Sequence, residues 1–350
     1  MEDLRVSVIG TGDPSARDET GYAMAYDHAR GYAATPGCRI VACADIIAAN
    51  ARAFAQEFGI SADGIFTDAK EMLETVNPDV LSICTPIRTH AELVIGAART
   101  GDSLAAIHCE KPMAWTWGEA RAMASVAAEE GVQLTFNHQR RFATPVQQAH
   151  RLIESDAIGE LQRIEMGPPN LFDYGTHSID LANAFTGDVD TRWVLANVDC
   201  RAPARWFDIH TENHALAMWE TTTGVYCLAS SGDGAEAVGC HHRLIGTDGV
   251  IELGVDGTPL RLRGREDRAW QTVDTGGDTM HGPGYVERAI GDIVDSVRTG
   301  RRSTLDATNA LRTTEIIFAA YESARRQGRA DLPLTIEDNP LDTLLPAEAR

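Results

Sequence analysis

The stretch Arg5-Val6-Ser7-Val8-Ile9-Gly10-Thr11-Gly12 decides the fold of the first part of the chain. A short run rich in β-branched residues is typical of a buried strand, and this one leads directly into two glycines one residue apart. In dinucleotide-binding folds the first glycine of such a pair makes a tight turn, and the second lets the backbone approach a pyrophosphate. We therefore expect Gly10 and Gly12 to form a phosphate loop, although a Gly-x-Gly pair alone is a weak signal.

The segments that follow alternate between strand and helix as far as residue 137. Short runs that are apolar on both faces, as in buried parallel strands, occur at Arg5–Ile9, Arg39–Ala44, Val80–Cys84, Leu104–Cys109 and Gln133–Phe136. Helical patterns separate them at Tyr22–Ala34, Ala48–Phe58, Asp68–Val76, His90–Thr100 and Thr116–Glu130. Three of these helices are followed by a glycine where a left-handed C-cap is common: Gly59, Gly101 and Gly131. The alternation predicts an α/β Rossmann domain with a doubly wound parallel sheet over residues 1–137.

The pattern changes after residue 137. Alternating or aromatic runs predict strands at Leu161–Met166, Arg192–Val198, His214–Glu220, Val225–Ser230, His241–Ile245, Val250–Leu253 and Leu260–Arg263. Helices are predicted at Pro145–Ser155, near Asp173–Phe185, at Tyr285–Arg298 and at Asp306–Gln327. Thr222-Thr223-Gly224 and Thr247-Asp248-Gly249 separate adjacent runs and predict hairpin turns. We expect residues 138–350 to form an α+β domain with an open, mostly antiparallel sheet, used for substrate binding and oligomerisation.

Two further positions support a dinucleotide site in the first domain. The third small residue of the phosphate-loop motif is displaced to Ala25, so we interpret Asp13–Gly21 as most of an insertion, with Arg17 as its only cation. Asp45 ends the second predicted strand, about 20 residues beyond Gly12 once the insertion is removed. A carboxylate there is expected to bond the ribose hydroxyls of NAD and to repel a 2′-phosphate, so we expect NAD in preference to NADP. The alternative role for Asp45 is an N-cap of the following helix.

The composition is that of a soluble globular protein, with 43% apolar and 23% charged residues among 350. A net charge of −20 argues against nucleic acid and anionic membranes as partners, and no apolar run approaches the roughly 20 residues of a membrane helix. The N-terminus resembles no secretory signal, and the seven cysteines contain no Cys-x-x-Cys pair, so we expect reduced thiols and a cytoplasmic protein. The acidic, lysine-poor composition fits a salt-rich or a high-GC source.

Lysine is rare in this chain. Of its 31 basic residues, only Lys70 and Lys111 are lysines. Arginine stays charged at any accessible pH, whereas lysine can exchange a proton. Lys111 stands in Glu110-Lys111-Pro112, directly after a predicted strand, as Thr85-Pro86 does after the preceding strand. Ligands of open parallel sheets bind at these carboxyl ends of strands, so we expect both segments to line a cofactor crevice. The alternative for Lys111 is a simple ion pair with Glu110 or another acidic neighbour.

Motifs along nearly the whole chain resemble those of the glucose–fructose oxidoreductase, inositol dehydrogenase and rhizopine-catabolism (Gfo/Idh/MocA) family. Cys109-Glu110-Lys111-Pro112 is similar to the Glu-Lys-Pro signature of that family, and Asp173-x-x-x-His177 followed by Asp180-Leu181 is similar to a second signature. Further matches are Thr85-Pro86 with His90, Asn137–Phe142, Ile158–Leu161, Gly246–Gly249 and Leu332–Leu334. The two signatures in this order are fairly specific, whereas either one alone is not.

The resemblance implies an NAD(P)-dependent oxidoreductase, a dehydrogenase acting on a CH–OH group of a sugar, inositol or a related polyol. It implies that Lys111, Asp173 and His177 form the catalytic set. It also implies that His90 belongs with the cofactor-binding residues and that Arg141 contacts the substrate.

Two departures from the family pattern bear on the cofactor and the substrate. The insertion after Gly12 comes beside the expected cofactor phosphates. The segment from Met166 to Asp173 is much shorter than the loop that the family usually has there, and that loop often lines the substrate pocket. The resemblance therefore names no single substrate.

The residues themselves suit the oxidation of an alcohol. His177 has the intrinsic pKa of a base that works near neutrality. Asp173 comes four residues earlier, so on a helix both side chains would share one face, about 5–6 Å apart at Cβ, and the carboxylate could orient the imidazole. Lys111 can donate to the same substrate oxygen and stabilise a developing alkoxide. Asp-x-x-x-His is also a metal-ligand spacing, but without a clear third ligand we expect no metal.

Other histidines and other functions stay open at this point. His281 begins a turn that opens a helix and is a candidate substrate contact, whereas His241 and His242 should point to opposite faces of a strand and be structural. The same fold could serve as a non-catalytic dinucleotide-binding sensor, or as an enzyme that cleaves glycosides by transient oxidation with catalytic NAD. An open sheet with few helices to cover its second face predicts a homodimer or homotetramer.

Overall fold

A computed structural model gives the fold and describes residues 2–16, 23–202, 204–206, 209–282 and 284–345. In chain order the strands are β1 (Leu4–Ile9), β2 (Cys38–Ala44), β3 (Ile65–Phe66), β4 (Val80–Ile83), β5 (Ala106–Cys109), β6 (Gln133–Phe136), β7 (Leu161–Met166), β8 (Thr191–Asp199), β9 (Arg205–Trp206), β10 (Ile209–His210), β11 (His214–Thr221), β12 (Tyr226–Gly232), β13 (His242–Gly246), β14 (Gly249–Val255), β15 (Thr258–Gly264), β16 (Gln271–Thr272) and β17 (Ala330–Asp331). The α-helices are α1 (Ala25–Ala34), α2 (Ala48–Phe58), α3 (Ala69–Val76), α4 (His90–Thr100), α5 (Trp117–Glu129), α6 (Thr144–Glu154), α7 (Gly175–Phe185), α8 (Gly284–Thr299), α9 (Ala307–Arg326) and α10 (Leu341–Leu344).

The chain divides into two compact units, and each is built from two separate segments. The first unit comprises Met1–Gln139 and Pro283–Leu311, and the second comprises Arg140–Gly282 and Arg312–Arg350. The helix α8 therefore belongs to the first unit, although more than a hundred residues of the second unit precede it in the chain.

The first unit contains a six-stranded sheet in the order β3-β2-β1-β4-β5-β6. All five pairings in it are parallel. Strand order reverses between β1 and β4, and ligands of such sheets bind beside that point, outside the carboxyl ends of the strands. The predicted doubly wound Rossmann fold is confirmed.

Two clusters of apolar residues contribute to the core of the first unit. In one of them Val8 packs with Tyr26 of α1 and Phe54 of α2, and all three are fully buried. A second cluster joins Val6 of β1 to Ile290 of α8. The helices α1 and α8 lie so close that a β-carbon on Gly31 would be 2.8 Å from Ile290 Cγ1. Glycine at position 31 thus lets α8 cover α1.

Most of the predicted helices occur within one or two residues of their expected bounds. Thr116 is the N-cap of α5 and forms a capping box with Glu119. Gly59 and Gly131 are left-handed, with φ of 68° and 72°, as expected for residues that end a helix. The prediction for Gly101 is wrong, because its φ is −86° and it is extended. The sequence did not predict the two-residue strand β3, because two residues are too few to show an alternation of apolar and polar side chains.

The second unit contains a nine-stranded sheet in the order β16-β15-β14-β13-β7-β12-β11-β8-β17. Only the pairing of β12 with β7 is parallel, and every other neighbouring pair in this sheet is antiparallel. The short strands β9 and β10 form a separate antiparallel pair. The predicted turns at residues 222–224 and 247–249 join β11 to β12 and β13 to β14. The prediction of an α+β unit with a mostly antiparallel sheet is confirmed.

The two faces of this sheet differ in exposure. Along β11 the residues Ala215, Ala217 and Trp219 are buried, whereas Leu216, which points to the opposite face, is 50% exposed. Its apolar neighbours on that face, Leu195 of β8 and Tyr226 of β12, are 43% and 44% exposed. We call Leu195, Leu216 and Tyr226 the open face of the sheet. Among the described residues, no helix is both long enough and apolar enough to span a membrane.

Candidate active site

The expected phosphate loop lies at the carboxyl end of β1 and requires both of its glycines. Gly10 and Gly12 have φ of +82° and +70°, which side-chain-bearing residues rarely adopt. A β-carbon on Gly10 would also lie 2.9 Å from the carbonyl carbon and oxygen of Cys84, at the end of β4. The loop therefore presents bare backbone where a pyrophosphate is expected to bind.

The residues that flank the insertion on its two sides lie next to each other. A β-carbon on Gly12 would lie 3.1 Å from Cα of Ala23, so the chain returns to its point of departure. Ala25, the expected third small residue, is the first residue of α1 and is fully buried. Pro14–Ala16 form a short 3-10 turn, and Asp13 accepts hydrogen bonds from the backbone N–H and the hydroxyl of Ser15. Residues 17–22, including Arg17, lie outside the described residues.

Asp45 follows β2 and binds the phosphate loop. Its Oδ2 accepts hydrogen bonds from the Gly12 N–H at 2.9 Å and from the Thr11 hydroxyl at 3.0 Å. Its Oδ1 accepts one from the Ile47 N–H at 2.9 Å. A carboxylate offers about four acceptor positions, so Oδ1 has one left for a ribose hydroxyl. The N-cap of α2 is Ile47, so Asp45 does not cap that helix. The glycine loop and Asp45 thus fit a dinucleotide.

Glu110 follows β5 and is held by side chains from the interior of the first unit. Its Oε1 lies 2.9 Å from His28 Nε2 and accepts a hydrogen bond from Asn137 Nδ2 at 2.7 Å. Its Oε2 accepts one from the backbone N–H of Lys111 at 3.2 Å. Burial raises the pKa of Glu110, but the hydrogen bond and charge of His28, with Lys111 and Asn137, outweigh this and lower the pKa to about 2. An ionised carboxylate therefore stands directly before the partly exposed Lys111.

His90 connects the loops that follow β4 and β5. Its ring is buried, with Nε2 2.9 Å from the Thr85 carbonyl oxygen and Nδ1 3.1 Å from the Pro112 carbonyl oxygen. Burial lowers its pKa, although the backbone carbonyls act in the opposite direction. The sequence predicted cofactor contacts from His90 and Glu110, and the hydrogen bonds described here join the polar atoms of both side chains to other groups of the first unit. Thr85 is partly exposed and Pro86 is exposed.

The second unit carries Asp173 and His177, both buried. Asp173 does not lie on a helix as predicted, because α7 begins at Gly175 and Asp173 belongs to the turn before it. Asn170 fixes that turn, since its Oδ1 accepts hydrogen bonds from the N–H groups of Asp173 and Tyr174 at 2.7 and 3.0 Å. The His177 N–H donates to the Tyr174 carbonyl at 3.1 Å, so His177 lies in the first turn of α7.

Arg141 was expected to contact the substrate, and its guanidinium binds two carboxylates of the second unit. Its guanidinium is buried between two carboxylates, with Nε 2.7 Å from Asp180 Oδ2 and Nη2 2.7 Å from Asp188 Oδ1. Burial lowers the pKa of Arg141, but the charges and hydrogen bonds of Asp180 and Asp188 raise it overall. Both carboxylates form hydrogen bonds with the guanidinium, so Arg141 links α7 to the turn that follows it.

His241 and His242 were expected to face opposite sides of a strand, but their rings are in contact. The strand β13 begins only at His242, and Nδ1 of His241 lies 2.6 Å from Nδ1 of His242. His242 Nε2 is 2.8 Å from the Ser178 carbonyl, and His241 Nε2 is 3.0 Å from Arg140 Nη1. A carbonyl can only accept a hydrogen bond and a guanidinium can only donate one. The hydrogen bonds therefore run in one direction, from Arg140 through His241 and His242 to Ser178. Both rings must be neutral in this chain.

His281 belongs to the same side-chain cluster of the second unit. Its Nε2 lies 2.7 Å from the Tyr174 hydroxyl, and it is exposed. The Arg140 guanidinium carbon lies 4.2 Å from the centre of the Tyr174 ring. Partial burial of the ring and the charge of Arg140 together lower the pKa of His281 to about 4. The cluster therefore places the exposed, neutral imidazole of His281 beside the turn that contains Asp173.

The structure also shows residues that sequence reasoning missed. His28, Ser82 and Asn137 are fully buried polar residues of the first unit, and His28 and Asn137 contact Glu110. The only signal for His28 was its place on the apolar side of α1, beside Tyr32. No group of three or more His, Cys, Asp or Glu side chains within the described part of the chain is placed to hold a metal.

The first unit is, by strand order, glycine loop and acidic residue, a dinucleotide-binding Rossmann domain. Residues 4–138 match the model of the Gfo/Idh/MocA family, described as "Oxidoreductase family, NAD-binding Rossmann fold". Residues 4–138 therefore form the NAD-binding Rossmann domain that this family model describes.

Several curated relatives are named as sugar or inositol dehydrogenases. The chain is 27% identical over 357 residues to D-apiose dehydrogenase of Paraburkholderia graminis, an alignment that covers 92% of this chain and 88% of that protein. It is 31% identical over 158 residues to D-glucoside 3-dehydrogenase of Escherichia coli K12, which covers 45% of this chain and 41% of that protein. The second match thus spans less than half the length of that relative.

Solved structures share the fold of both units. Levoglucosan dehydrogenase, in complex with NADH and levoglucosan, superposes with a TM-score of 0.78 at 21% identity and covers 95% of this chain and 100% of that one. An inositol dehydrogenase homologue from Azotobacter vinelandii, in complex with NADH and myo-inositol, gives a TM-score of 0.78 at 19% identity and covers 95% and 98%.

The neutral His241–His242 pair predicts a specific loss of stability in acid. Burial lowers the pKa of His242 to about 4, and Arg140 contributes, so as the pH falls from about 6.5 to 4 the unfolded chain binds a proton that the folded chain does not. The free energy of unfolding should fall by up to about 3 kcal/mol on this account. His242→Gln keeps a donor for Ser178 but does not titrate. Urea unfolding of both proteins at several pH values checks this, and parallel pH curves would contradict it.

Proposed function

We propose that this protein is an NAD-dependent dehydrogenase that transfers a hydride between the nicotinamide and a hydroxyl-bearing carbon of a sugar, cyclitol or related polyol. The observation that carries the proposal is the ionised Glu110 fixed directly before Lys111, at the carboxyl edge of an NAD-binding sheet. The names of the curated relatives, which are dehydrogenases of glucosides, apiose and inositol, support the substrate class.

The chain's own residues supply proton transfer and charge. When bound, NAD supplies the hydride acceptor. Lys111 donates a hydrogen bond to the reacting oxygen and stabilises its developing negative charge, an effect on the order of 3 kcal/mol for a well-placed donor. His177 takes the hydroxyl proton, and the Asp173 carboxylate favours the charged imidazole that results. In the direction of ketone reduction the same groups return the proton.

The cofactor contacts follow from the open backbone and the open acceptor position. Gly10 and Gly12 lack side chains, so the pyrophosphate can approach the backbone of the loop, as in other glycine loops. Asp45 accepts one ribose hydroxyl through Oδ1, because its Oδ2 already binds Gly12 and Thr11. Thr85 and Pro86 border the same crevice, and Glu110 and His90 act through the loops that they support.

Substrate contacts come from the second unit in this proposal. The proposal does not include Arg141 as a substrate contact, because its guanidinium forms ion pairs with Asp180 and Asp188. His281 and Tyr174 take its place: an exposed neutral imidazole and a phenol can each donate to or accept from a sugar hydroxyl. This choice keeps His281, the substrate contact expected from the sequence, and adds its hydrogen-bond partner.

A panel of sugars and polyols tests the activity. We expect NADH formation, followed at 340 nm, with at least one aldose, glycoside or inositol. Lys111→Arg should lose most of the turnover and keep its affinity for NAD, because guanidinium is larger and cannot shed a proton. A variant within about threefold of the wild-type turnover, about 0.7 kcal/mol in barrier height, would contradict the role of Lys111.

Two outcomes of the panel would point to the other functions. NAD binding without turnover on any substrate would favour a dinucleotide-binding sensor. Cleavage of a glycoside with catalytic NAD and no accumulated NADH would favour transient oxidation. Lys70→Arg is the matched control, because Lys70 is exposed and pairs only loosely with Glu74 on the surface of α3; its turnover should equal that of the wild type.

The acidic residue after β2 predicts a preference for NAD over NADP. A 2′-phosphate would bring about two negative charges beside Asp45, and like charges a few Å apart repel by up to about 4 kcal/mol per unit pair at an effective dielectric near 20. The next residues are the exposed Ile46 and Ile47, which offer no cation. We expect kcat/KM to be at least about tenfold higher with NAD. Asp45→Asn should narrow this ratio, whereas equal efficiency of wild type with NADP would overturn the assignment.

We further propose that the protein works in the cytoplasm as a homo-oligomer. Its seven cysteines are free and four of them are buried, and burial raises the thiol pKa of residues such as Cys227, which suits a reducing compartment. The open face of the sheet offers a self-complementary surface, since an isologous pair would place Leu216 and its neighbours on the same residues of a second copy.

The oligomer can be tested at Leu216, which lies within the open face of the sheet. Leu216→Glu would place two like charges into the contact, so the variant should be monomeric where the wild type is a dimer or tetramer. Light scattering after gel filtration measures this. Thr223→Glu, in the exposed turn between β11 and β12, is the matched control and should keep the assembly. A wild-type monomer would contradict the proposal.

A further inference from the structure

His28 lies in the interior of the first unit, at the far end of a hydrogen-bond chain that reaches Lys111. It is on α1, and its side chain is 0% exposed. Nε2 of His28 is 2.9 Å from Glu110 Oε1, and Nδ1 is 3.1 Å from the Ser82 hydroxyl. The other oxygen of Glu110 accepts from the Lys111 N–H at 3.2 Å. The carboxylate thus joins a buried imidazole to the backbone of the proposed catalytic lysine.

The surroundings hold the His28 ring in one plane. The His108 ring stacks on it with 4.8 Å between ring centres and 29° between planes. The Tyr32 hydroxyl lies 3.1 Å from the Ser82 hydroxyl, so Ser82 can donate to His28 Nδ1 or accept from it. Nε2 is therefore left to donate to Glu110 whether the ring carries one proton or two. Few buried ion-pair partners have their hydrogen bonds satisfied in both states.

Glu110 needs such a partner because it is buried. Without compensation, a carboxyl group in the interior takes up a proton at higher pH than one in water. The hydrogen bond and the charge of His28 are the largest effects that oppose burial at Glu110, ahead of Lys111 and Asn137. Asn137 donates to the same oxygen at 2.7 Å but brings no charge.

We propose that His28 is a positioning residue of the dehydrogenase reaction: through Glu110 it fixes a negative charge beside Lys111 and so sets the placement of the lysine. The inference rests on the proposed function, in which Lys111 donates to the reacting oxygen. His28 itself touches neither substrate nor cofactor in this role.

Other titratable groups also face Glu110, and none of them can replace His28. They come from the neighbouring strands, from α4 and from the loop after β5: Cys84, His90, His108, Cys109 and Lys111. Burial raises the pKa of both thiols and lowers the pKa of both His90 and His108, so these four are neutral near pH 7. Within the described part of the chain, the charges that act to lower the pKa of this carboxyl group are those of His28 and Lys111.

The removal of His28 therefore has a signature in pH. In His28→Leu the burial of Glu110 would be opposed mainly by Lys111 and Asn137, so the carboxyl group should take up a proton at higher pH. Loss of the negative charge beside Lys111 should lower kcat at pH 7 by at least about tenfold, a change of about 1.4 kcal/mol in barrier height. An acid limb due to Glu110 should appear in the kcat profile between pH 5 and 8, in addition to the limb that the base His177 gives in the wild type and in every variant.

The experiment compares three variants with wild type from pH 5 to 9. His28→Gln can donate to Glu110 but carries no charge, so its kcat should recover in part and its acid limb should lie below that of His28→Leu. Tyr32→Phe removes a hydroxyl from the same buried chain without touching Glu110, and its profile should match the wild type. NAD affinity, measured by fluorescence titration, should change less than twofold in all three. A purely structural role would lower activity without moving the limb.

A second readout needs no substrate. Relative to the wild type, His28→Leu should show an additional infrared band of a protonated carboxyl group near pH 6, and the double variant His28→Leu/Glu110→Gln should lack this additional band. Wild-type kcat and pH profiles in both His28→Leu and His28→Gln would overturn the inference. If His28→Leu does not fold, a wild-type profile of His28→Gln alone overturns it. A wild type that oxidises no polyol would instead refute the proposed function, and the infrared band would still report on Glu110.

Discussion

The close approach of the loop after β1 to the end of β4 is the constraint on which the nucleotide-binding edge depends. The Cys84 N–H donates to the Ile9 carbonyl at 2.8 Å, so β1 and β4 stay paired up to their last residues. A β-carbon on Gly10 would then lie 2.6 Å from Thr85 Cγ2, and only glycine fits. Because the His90 ring lies between the Thr85 carbonyl and the Pro112 carbonyl, the same constraint extends to the loop after β5. The glycine loop and the Glu-Lys-Pro segment therefore share one rigid support.

Sequence patterns of short range were sufficient for most of the fold. The bounds of α2 and α4 were predicted to the residue, because apolar periodicity and terminal signals lie within the helix and its flanks. The parallel sheet followed from alternation, and Asp45 from its place after β2. The errors also have local causes. Gly101 keeps a hydrogen bond to Ala97 in an extended conformation, so a glycine after a helix does not by itself define a left-handed cap.

The candidate site was harder to predict where its contacts join residues far apart in the chain. His28 and Glu110 are separated by 82 positions and Arg141 and Asp188 by 47, and no periodicity records such pairs. Sequence reasoning could place Glu110 at a strand end, but the partner that keeps it ionised appears only when α1 packs on the sheet. Likewise, a one-residue difference in where β13 begins decides whether the rings of His241 and His242 diverge or meet.

The two cations at positions 111 and 141 show why the chain uses both lysine and arginine. Arg141 lies buried between Asp180 and Asp188, where a planar fork with a permanent charge satisfies two carboxylates at once. A lysine there would leave acceptors unsatisfied. Lys111 directly follows a buried carboxylate and stays partly exposed, where an ammonium can still exchange a proton. The exposed Lys70 shows that rarity alone does not identify a functional lysine. What distinguishes Lys111 is the buried, ionised Glu110 before it, and that carboxylate depends on His28.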